Sequence, residues 1–444
     1  MKKRFFDMVA FIILCTVMLC GCINKQVEMT EESKTYLAAV EEMVSFYEKN
    51  PYIFYNCKDK KEWTTTLENL KKDIKNNKVS ESDIYYRMSS LSAVLNNSHT
   101  QLVNLEDKSE KVLPIKGNFY GDNFYIVFTN FENRELLGSE IIAINNINFE
   151  EIEERYSKII SAENNQWVRS TISNSIFTES LLKYLDIWKD DNIFTVKTLE
   201  GKTEDVIIDS ISTEELYSIM PDLNNYFGYE SMKESIENNK PEDAYDQYWF
   251  TLDEDNRILY FQYNTCLDKN DKSAVSIKQD VSNYPDFKDF REEFTQFANS
   301  NKDYFDKIVV DVSNNRGGVP SHIDNLISEN IDLFNSKKVY AIMTKNTYSA
   351  GVCAVNTLVD KCNATMVGEE TGGSIEVFAV SERRVSSILP YEYSSGNKKI
   401  DLLDKAGKNT KDYMRGAIPD IEVEATIEDN INGINPYYQA VIDN

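Results

Sequence analysis

The chain has 444 residues, of which 41% are hydrophobic and 12% aromatic, and a formal net charge of −25. Such a length calls for two or three domains, and the composition can build real cores. The acidity excludes the basic surface that nucleic-acid phosphates require and disfavours electrostatic docking on anionic lipid.

At the N-terminus, Met1-Lys2-Lys3-Arg4 forms a positive n-region, and Met8 to Leu19 forms an apolar run of signal-peptide length. The run falls short of the roughly 18 to 20 residues of a spanning helix. It ends in Leu19-Cys20-Gly21-Cys22, which resembles a bacterial lipobox. The resemblance implies a signal peptide over 1–21, lipidation at Cys22 and a tether over 22–29. The body would then be extracytoplasmic and held at the bacterial cell membrane only through lipid.

Residues 30–105 read as an N-terminal helical region. Glu32 to Glu48 carries Tyr36, Val40, Met43, Val44 and Tyr47 at helical spacing, and Glu62 to Lys75 follows as a weaker helix. Ser80, Ser82 and Asp83 offer caps for a third helix reaching Leu95. It gives way to the polar turn Asn96-Asn97-Ser98-His99-Thr100.

Over 106–212 the pattern turns to short strands, at Lys111 to Ile115, Phe124 to Thr129, Glu140 to Ile144 and Ile193 to Leu199. A helical insertion, Phe149 to Ile160 and Ile176 to Trp188, interrupts them. Leu137-Gly138-Ser139-Glu140-Ile141-Ile142-Ala143-Ile144-Asn145 resembles the turn and strand of a PDZ module, a fold that binds chain termini by strand addition. A polar, aromatic connecting segment spans 213–250. From 251 to 444 strand and helix alternate: strand Ile258 to Tyr263, helix Phe287 to Ala298, strand Lys307 to Val312, helix His322 to Phe334, strand Lys338 to Met343, a helix after Ser349, and strand Ala364 to Gly368. Alternation of this kind predicts an α/β layer with parallel pairing.

Three stretches carry chemistry. Ser349 stands where a strand pattern meets a helix pattern. Free N–H groups at a helix start favour negative charge, so its hydroxyl can attack a carbonyl while the Ala350 N–H faces the oxyanion. An N-cap serine is the competing use of the same position. Asp311-Val312-Ser313-Asn314-Asn315-Arg316-Gly317-Gly318 runs from a strand into a glycine pair, which can supply a second oxyanion donor or simply a tight turn. Ser98-His99 offers an imidazole base, remote in sequence but free to assemble in space. The other histidine, His322, falls in the first turn of a helix, where protonation is disfavoured. With two histidines, no HExxH, and no metal-ligand spacing among Cys57, Cys266, Cys353 and Cys362, zinc catalysis is disfavoured.

In order and spacing these pieces resemble the S41 family of serine peptidases, which includes the C-terminal processing peptidases and the tricorn protease core. The further matches are Asp360 eleven positions after Ser349, Gly368-Glu369-Glu370-Thr371-Gly372-Gly373-Ser374, and Gly416-Ala417-Ile418-Pro419-Asp420-Ile421. Processing peptidases place a lysine twenty-five positions after the serine, but here that residue is Ser374. Tricorn-type members use a Ser-His pair after a helical region, which Ser98-His99 matches.

The resemblance implies an α/β, crotonase-like (ClpP/crotonase) core preceded by helical and PDZ-like parts, with no metal or organic cofactor. Ser349 would be the nucleophile, His99 the general base, Ser98 its orienter, and Gly317, Gly318 and Ala350 the oxyanion donors. The family's acid position falls on Tyr413, with Asp412 beside it as the acidic candidate. The implied function is hydrolysis of extracytoplasmic polypeptides through an acyl-enzyme, the substrate being the partner. Two alternatives are a catalytically weak peptide-binding surface lipoprotein and a penicillin-recognising enzyme. For the latter only Ser180-Leu181-Leu182-Lys183 speaks, without its companion motifs.

Overall fold

The computed structural model describes residues 28–106, 111–219, 226–228, 240–242, 244–271, 280–401 and 414–444. The expected signal peptide and Cys22 lie outside the described residues. No helix among the described residues is long and apolar enough to cross a membrane.

The N-terminal region forms three helices, Glu31–Tyr47, Lys60–Lys75 and Glu81–Ala93. Thr30 and Asp59 cap the first two, accepting from the N–H groups of Ser33 and Lys61. Their apolar stripes meet in a core that includes Tyr36, Val40, Met43, Leu70, Ile84 and Leu91. A long hairpin from much later in the chain, Glu376–Val385 and Tyr391–Asp401, completes this unit. Its second strand pairs antiparallel with Leu102–Asn104, and Tyr391 and Tyr393 enter the helical core.

A seven-stranded antiparallel sheet follows, in the order Tyr226–Gly228, Asn123–Asn130, Glu140–Ile144, Ile193–Lys197, Thr203–Ile207. Ile115–Tyr120 and Ile147–Asn148 pair beside this path. The insertion holds three helices rather than two: Phe149–Ser157, Asn165–Ser173 and Glu179–Tyr184. The SxxK pattern at Ser180 is a helix surface, with the Lys183 ammonium 2.7 Å from Glu179.

The third sheet has six strands, ordered Tyr248–Asp253, Ile258–Tyr263, Lys307–Asp311, Lys338–Met343, Thr365–Gly368 and Ile421–Glu422. Only the first pair is antiparallel. Both faces are covered, which is why Ile258–Tyr263 is buried at every position. Leu259, Phe261, Ile308 and Val310 face the helices Phe287–Ser300, Ser321–Glu329 and Ala350–Cys362. The alternate residues Tyr260, Val309, Tyr340 and Ile342 face Pro436–Ile442. The expected helix His322 to Phe334 breaks at Asn330, giving Ser321–Glu329 and Ile331–Asn335. The loops after Asp311, Met343 and Gly368 leave the carboxyl ends of the parallel strands, where open α/β sheets place their sites.

Candidate functional site

Ser349 follows strand Lys338–Met343 and opens helix Ala350–Cys362 with φ 52° and ψ −118°. Few non-glycine residues hold a positive φ, so the turn is locked from outside. Thr347 donates its hydroxyl to the Val312 carbonyl at 2.8 Å, Thr344 to Ser313 at 2.6 Å, and the Tyr348 N–H to Asn315 at 2.9 Å. The Ser349 side chain makes no capping bond. Its Oγ lies 3.0 Å from His99 Nε2.

His99 sits in the buried turn after helix Glu81–Ala93, 8% exposed. Its N–H donates to Asn97 Oδ1 at 3.0 Å, and its carbonyl accepts from the Ser394 hydroxyl at 3.1 Å, so the late hairpin holds it in place. Burial, assisted by the Arg383 charge, pushes the imidazole pKa down to about 3. His99 is therefore neutral across the physiological range, as a base must be.

The other ring nitrogen, Nδ1, lies 2.9 Å from the Tyr348 hydroxyl, which donates to Ser98 Oγ at 2.8 Å. Ser98 thus reaches the imidazole through Tyr348. The Tyr348 ring stacks between His99 and Trp167, with centroids 4.7 Å and 3.8 Å away. Beyond Ser98 lies Glu163, 6% exposed, whose Oε1 accepts from the Ser98 N–H at 3.0 Å. Burial pushes its pKa up to about 7, against the opposing pull of the Ser98 hydroxyl and N–H. Tyr348 is held well above its ordinary pKa by burial and then by Glu163, and stays neutral.

Sequence reasoning missed Tyr348, Glu163 and Trp167. Tyr348 directly precedes the nucleophile, which is a usable signal. Glu163 is placed by the insertion: Asn164 caps helix Asn165–Ser173, accepting from Trp167 N at 3.0 Å, and donates to the carbonyls of Gly372 and Met414. The sequence-expected Asp412 and Tyr413 lie outside the described residues.

The oxyanion assignment needs one correction. The Gly317 N–H already donates to Asn315 Oδ1 at 2.9 Å. The N–H groups of Gly318 and Ala350 take no protein partner among the described residues. Gly317 has a different duty: at φ +104°, a Cβ there would lie 2.8 Å from Ser349 Cβ and 3.0 Å from Ala350 N. Gly318, at φ +135°, presses against the Cys266 carbonyl. The remaining expected residues are peripheral. Ser374 donates to the Glu376 carbonyl at 2.8 Å, Asp360 is exposed, and His322 Nε2 lies 3.0 Å from Asp271. Asp268, Asp271 and His322 lie close enough to share a cation, but the Asp268 carboxylate already accepts from the Asn270 and Phe287 N–H groups, and Asp271 from the Asp268 N–H.

The sequence matches no family model, and no curated protein sequence matches it. Solved structures do. Mature CPAF complexed with lactacystin aligns over 92% of this chain and 97% of its own, at 11% identity and a TM-score of 0.61. Mature CPAF aligns over 92% and 96%, also at 11% identity, with a TM-score of 0.59. The photosystem II D1 C-terminal processing protease aligns over 92% and 99% at 11% identity, with a TM-score of 0.40. The chain thus shares its overall α/β fold with mature CPAF.

Proposed function

We propose that the chain is a serine peptidase of the S41 type, acting on polypeptides through a Ser349–His99 site. The observation that carries this reading is the 3.0 Å contact between Ser349 Oγ and His99 Nε2, made by residues 250 positions apart. The shared CPAF-like fold and the motif order support it. The six-stranded core would correspond to the crotonase-like unit and the antiparallel sheet to the PDZ-like one.

Ser349 attacks the peptide carbonyl while His99 Nε2 takes its proton, and the N–H groups of Gly318 and Ala350 hold the oxyanion. The imidazolium Nδ1–H hydrogen-bonds to the Tyr348 oxygen, and Tyr348 donates its hydroxyl to Ser98 Oγ. The Ser98 backbone N–H in turn donates to Glu163 Oε1, so the contacts lead from the base to a buried carboxyl group. Glu163 takes the part that an aspartate plays in other triads, orienting the base and stabilising its charge. His99 next protonates the leaving amine, and water releases the acyl group. Lipidation at Cys22 and an extracytoplasmic setting belong to this reading on the sequence pattern alone.

Labelling with a serine-reactive fluorophosphonate, located by peptide mass spectrometry, tests the site. We expect label on Ser349 only, abolished in Ser349→Ala and reduced at least a hundredfold in His99→Ala. A folded protein that takes no label would instead be a peptide-binding relative.

A further inference from the structure

The charge of the chain is unevenly spread. Between residues 49 and 78 eight lysines stand against four acidic residues, in a chain that carries 73 acidic residues against 48 basic ones. The centre of this segment is helix Lys60–Lys75, whose buried side is Trp63, Leu70 and Ile74. Helical spacing sets Lys61, Thr64, Thr65, Glu68, Lys72 and Lys75 on the opposite side, and all six are exposed. Glu68 is the one acidic residue in that stripe. Two acidic residues beside it are already neutralised: Asp73 pairs with Arg87 at 2.7 Å, and Glu41 with Lys71 at 3.3 Å. Lys61, Lys72 and Lys75 make no ion pair among the described residues.

This helix lies where the N-terminal segment joins the fold. The described chain begins at Glu28, whose carbonyl accepts from Asn77 Nδ2 at 2.9 Å, and the Thr30 N–H donates to Asn77 Oδ1 at 3.1 Å. Asn77 stands one residue beyond the C-cap of the helix, Asn76. Glu28 lies six positions after Cys22, a reach of at most about 20 Å. A lipid on Cys22 would hold the end of the helix within that distance of a bilayer, and the helix itself is about 24 Å long. At its other end Phe54 packs edge-on against Trp63 and beneath Lys60, and its loop neighbours Tyr52 and Tyr55 are 39% and 48% exposed. Tyrosine rings favour the boundary between lipid and water.

The average charge of the chain disfavours an anionic surface, but screening decides which charges such a surface feels. At physiological salt the screening length is about 8 Å, less than the width of one helix at about 10 Å. Lysines in contact with the surface act on it, while the acidic residues behind the helix are screened. We infer that the outer side of helix Lys60–Lys75 is a docking surface for the anionic headgroups of a phospholipid bilayer, with the helix lying in the plane of the membrane. Lipidation enters only as the approach to the bilayer, and the peptidase reading is not needed.

The test takes the chain from Ile23 onward, which lacks Cys22 and keeps every described residue. It is co-sedimented with vesicles of phosphatidylcholine alone and of equal parts phosphatidylcholine and phosphatidylglycerol. We expect binding to the anionic vesicles only, lost in about 1 M salt, where the screening length is about 3 Å. Each lysine at such a surface strengthens partitioning by about fivefold, so Lys61→Gln, Lys72→Gln and Lys75→Gln together should weaken binding about a hundredfold. Lys189→Gln, Lys288→Gln and Lys302→Gln remove the same charge from exposed positions elsewhere and should bind as the parent does. Equal losses in the two triple variants would reduce the effect to net charge and overturn the surface, as would equal binding to the two kinds of vesicle. On the full chain held at the anionic vesicles, amine acylation located by peptide mass spectrometry should spare Lys61, Lys72 and Lys75 while modifying Lys189 and Lys302. Modification of all five there overturns the docking. Fluorophosphonate label on Ser349 is expected in every one of these proteins, so loss of the surface and loss of the peptidase reading are separate results.

Discussion

Ser349 holds a left-handed φ that no capping bond rewards, a strain on the order of 1–3 kcal/mol. The Asn315 carbonyl and the bare Gly317 beside it keep that conformation in place. Gly317→Ala should therefore push on the Ser349 side chain and the Ala350 N–H together. We expect kcat to fall at least about tenfold with less change in KM, the mark of damage to transition-state contacts. Steady-state kinetics showing equal losses in both would move Gly317 to a binding role. Glu163 makes a second prediction. His99 titrates near 3, so the activity step around neutrality belongs to Glu163, near 7. As pH rises through about 7 the carboxylate forms and stabilises the imidazolium, so kcat/KM should step up. Glu163→Gln should stay at the lower plateau over pH 5 to 8. A step that survives in Glu163→Gln assigns it to another group. Ser349 and His99 were legible because each sits at a break in a clear periodic pattern. Glu163 was not, because three-dimensional proximity to Ser98 leaves no spacing in the sequence.

Among the elements, three strands were legible in full: the half-buried Glu140–Ile144 and two that are buried on both sides. Ile258–Tyr263 and Lys338–Met343 match their expected bounds, since an apolar run flanked by turns has one reading there. Helix Asn165–Ser173 was missed because its sequence, NQWVRSTIS, is mostly polar and its apolar face is only Trp167, Val168 and Ile172. The hairpin Glu376–Val385 with Tyr391–Asp401 was missed for a similar reason. It carries Glu382, Arg383, Arg384 and Glu392, and its burial comes from the distant N-terminal helices. That hairpin has a catalytic consequence. Ser394 donates to the His99 carbonyl at 3.1 Å and accepts from the Gln101 N–H at 3.2 Å. Ser394→Ala leaves the His99 carbonyl short of a partner, while the Gln101 N–H keeps the backbone carbonyl of residue 394 at 3.3 Å, and should cost about 1–3 kcal/mol in a denaturant titration. Because the base loosens, kcat should drop while fluorophosphonate still reaches Ser349. Unchanged kcat in a destabilised protein would show that the hairpin supports the fold without setting the base.

At the scale of the molecule, the site is a meeting of three regions: His99 from the N-terminal helices, Glu163 from the insertion, and Ser349 from the parallel sheet. Two of these groups have pKa values displaced in opposite directions, and folding must register both. His99 falls from 6.5 to about 3, so its contribution to stability is whole above pH 6.5 and is lost as pH falls toward 3. Glu163 rises from 4.5 to about 7, so its contribution is whole below pH 4.5 and is lost as pH rises through 7. Between pH 4.5 and 6.5 the unfolded chain holds one proton more at His99 and one fewer at Glu163. Their effects on the slope of stability against pH therefore oppose and nearly cancel. Single substitutions should unmask each slope. Relative to the unsubstituted protein, Glu163→Gln should gain stability with rising pH across this window, by up to about 1.4 kcal/mol per pH unit. His99→Gln should lose it at a similar rate. Referring each variant to the parent removes the titration of every other carboxylate, so the opposite signs belong to the pair alone. Denaturant midpoints at four or five pH values measure both slopes. Two variants that track the parent in parallel would mean that burial perturbs neither group in the folded chain, and the activity step near pH 7 could then not be assigned to Glu163.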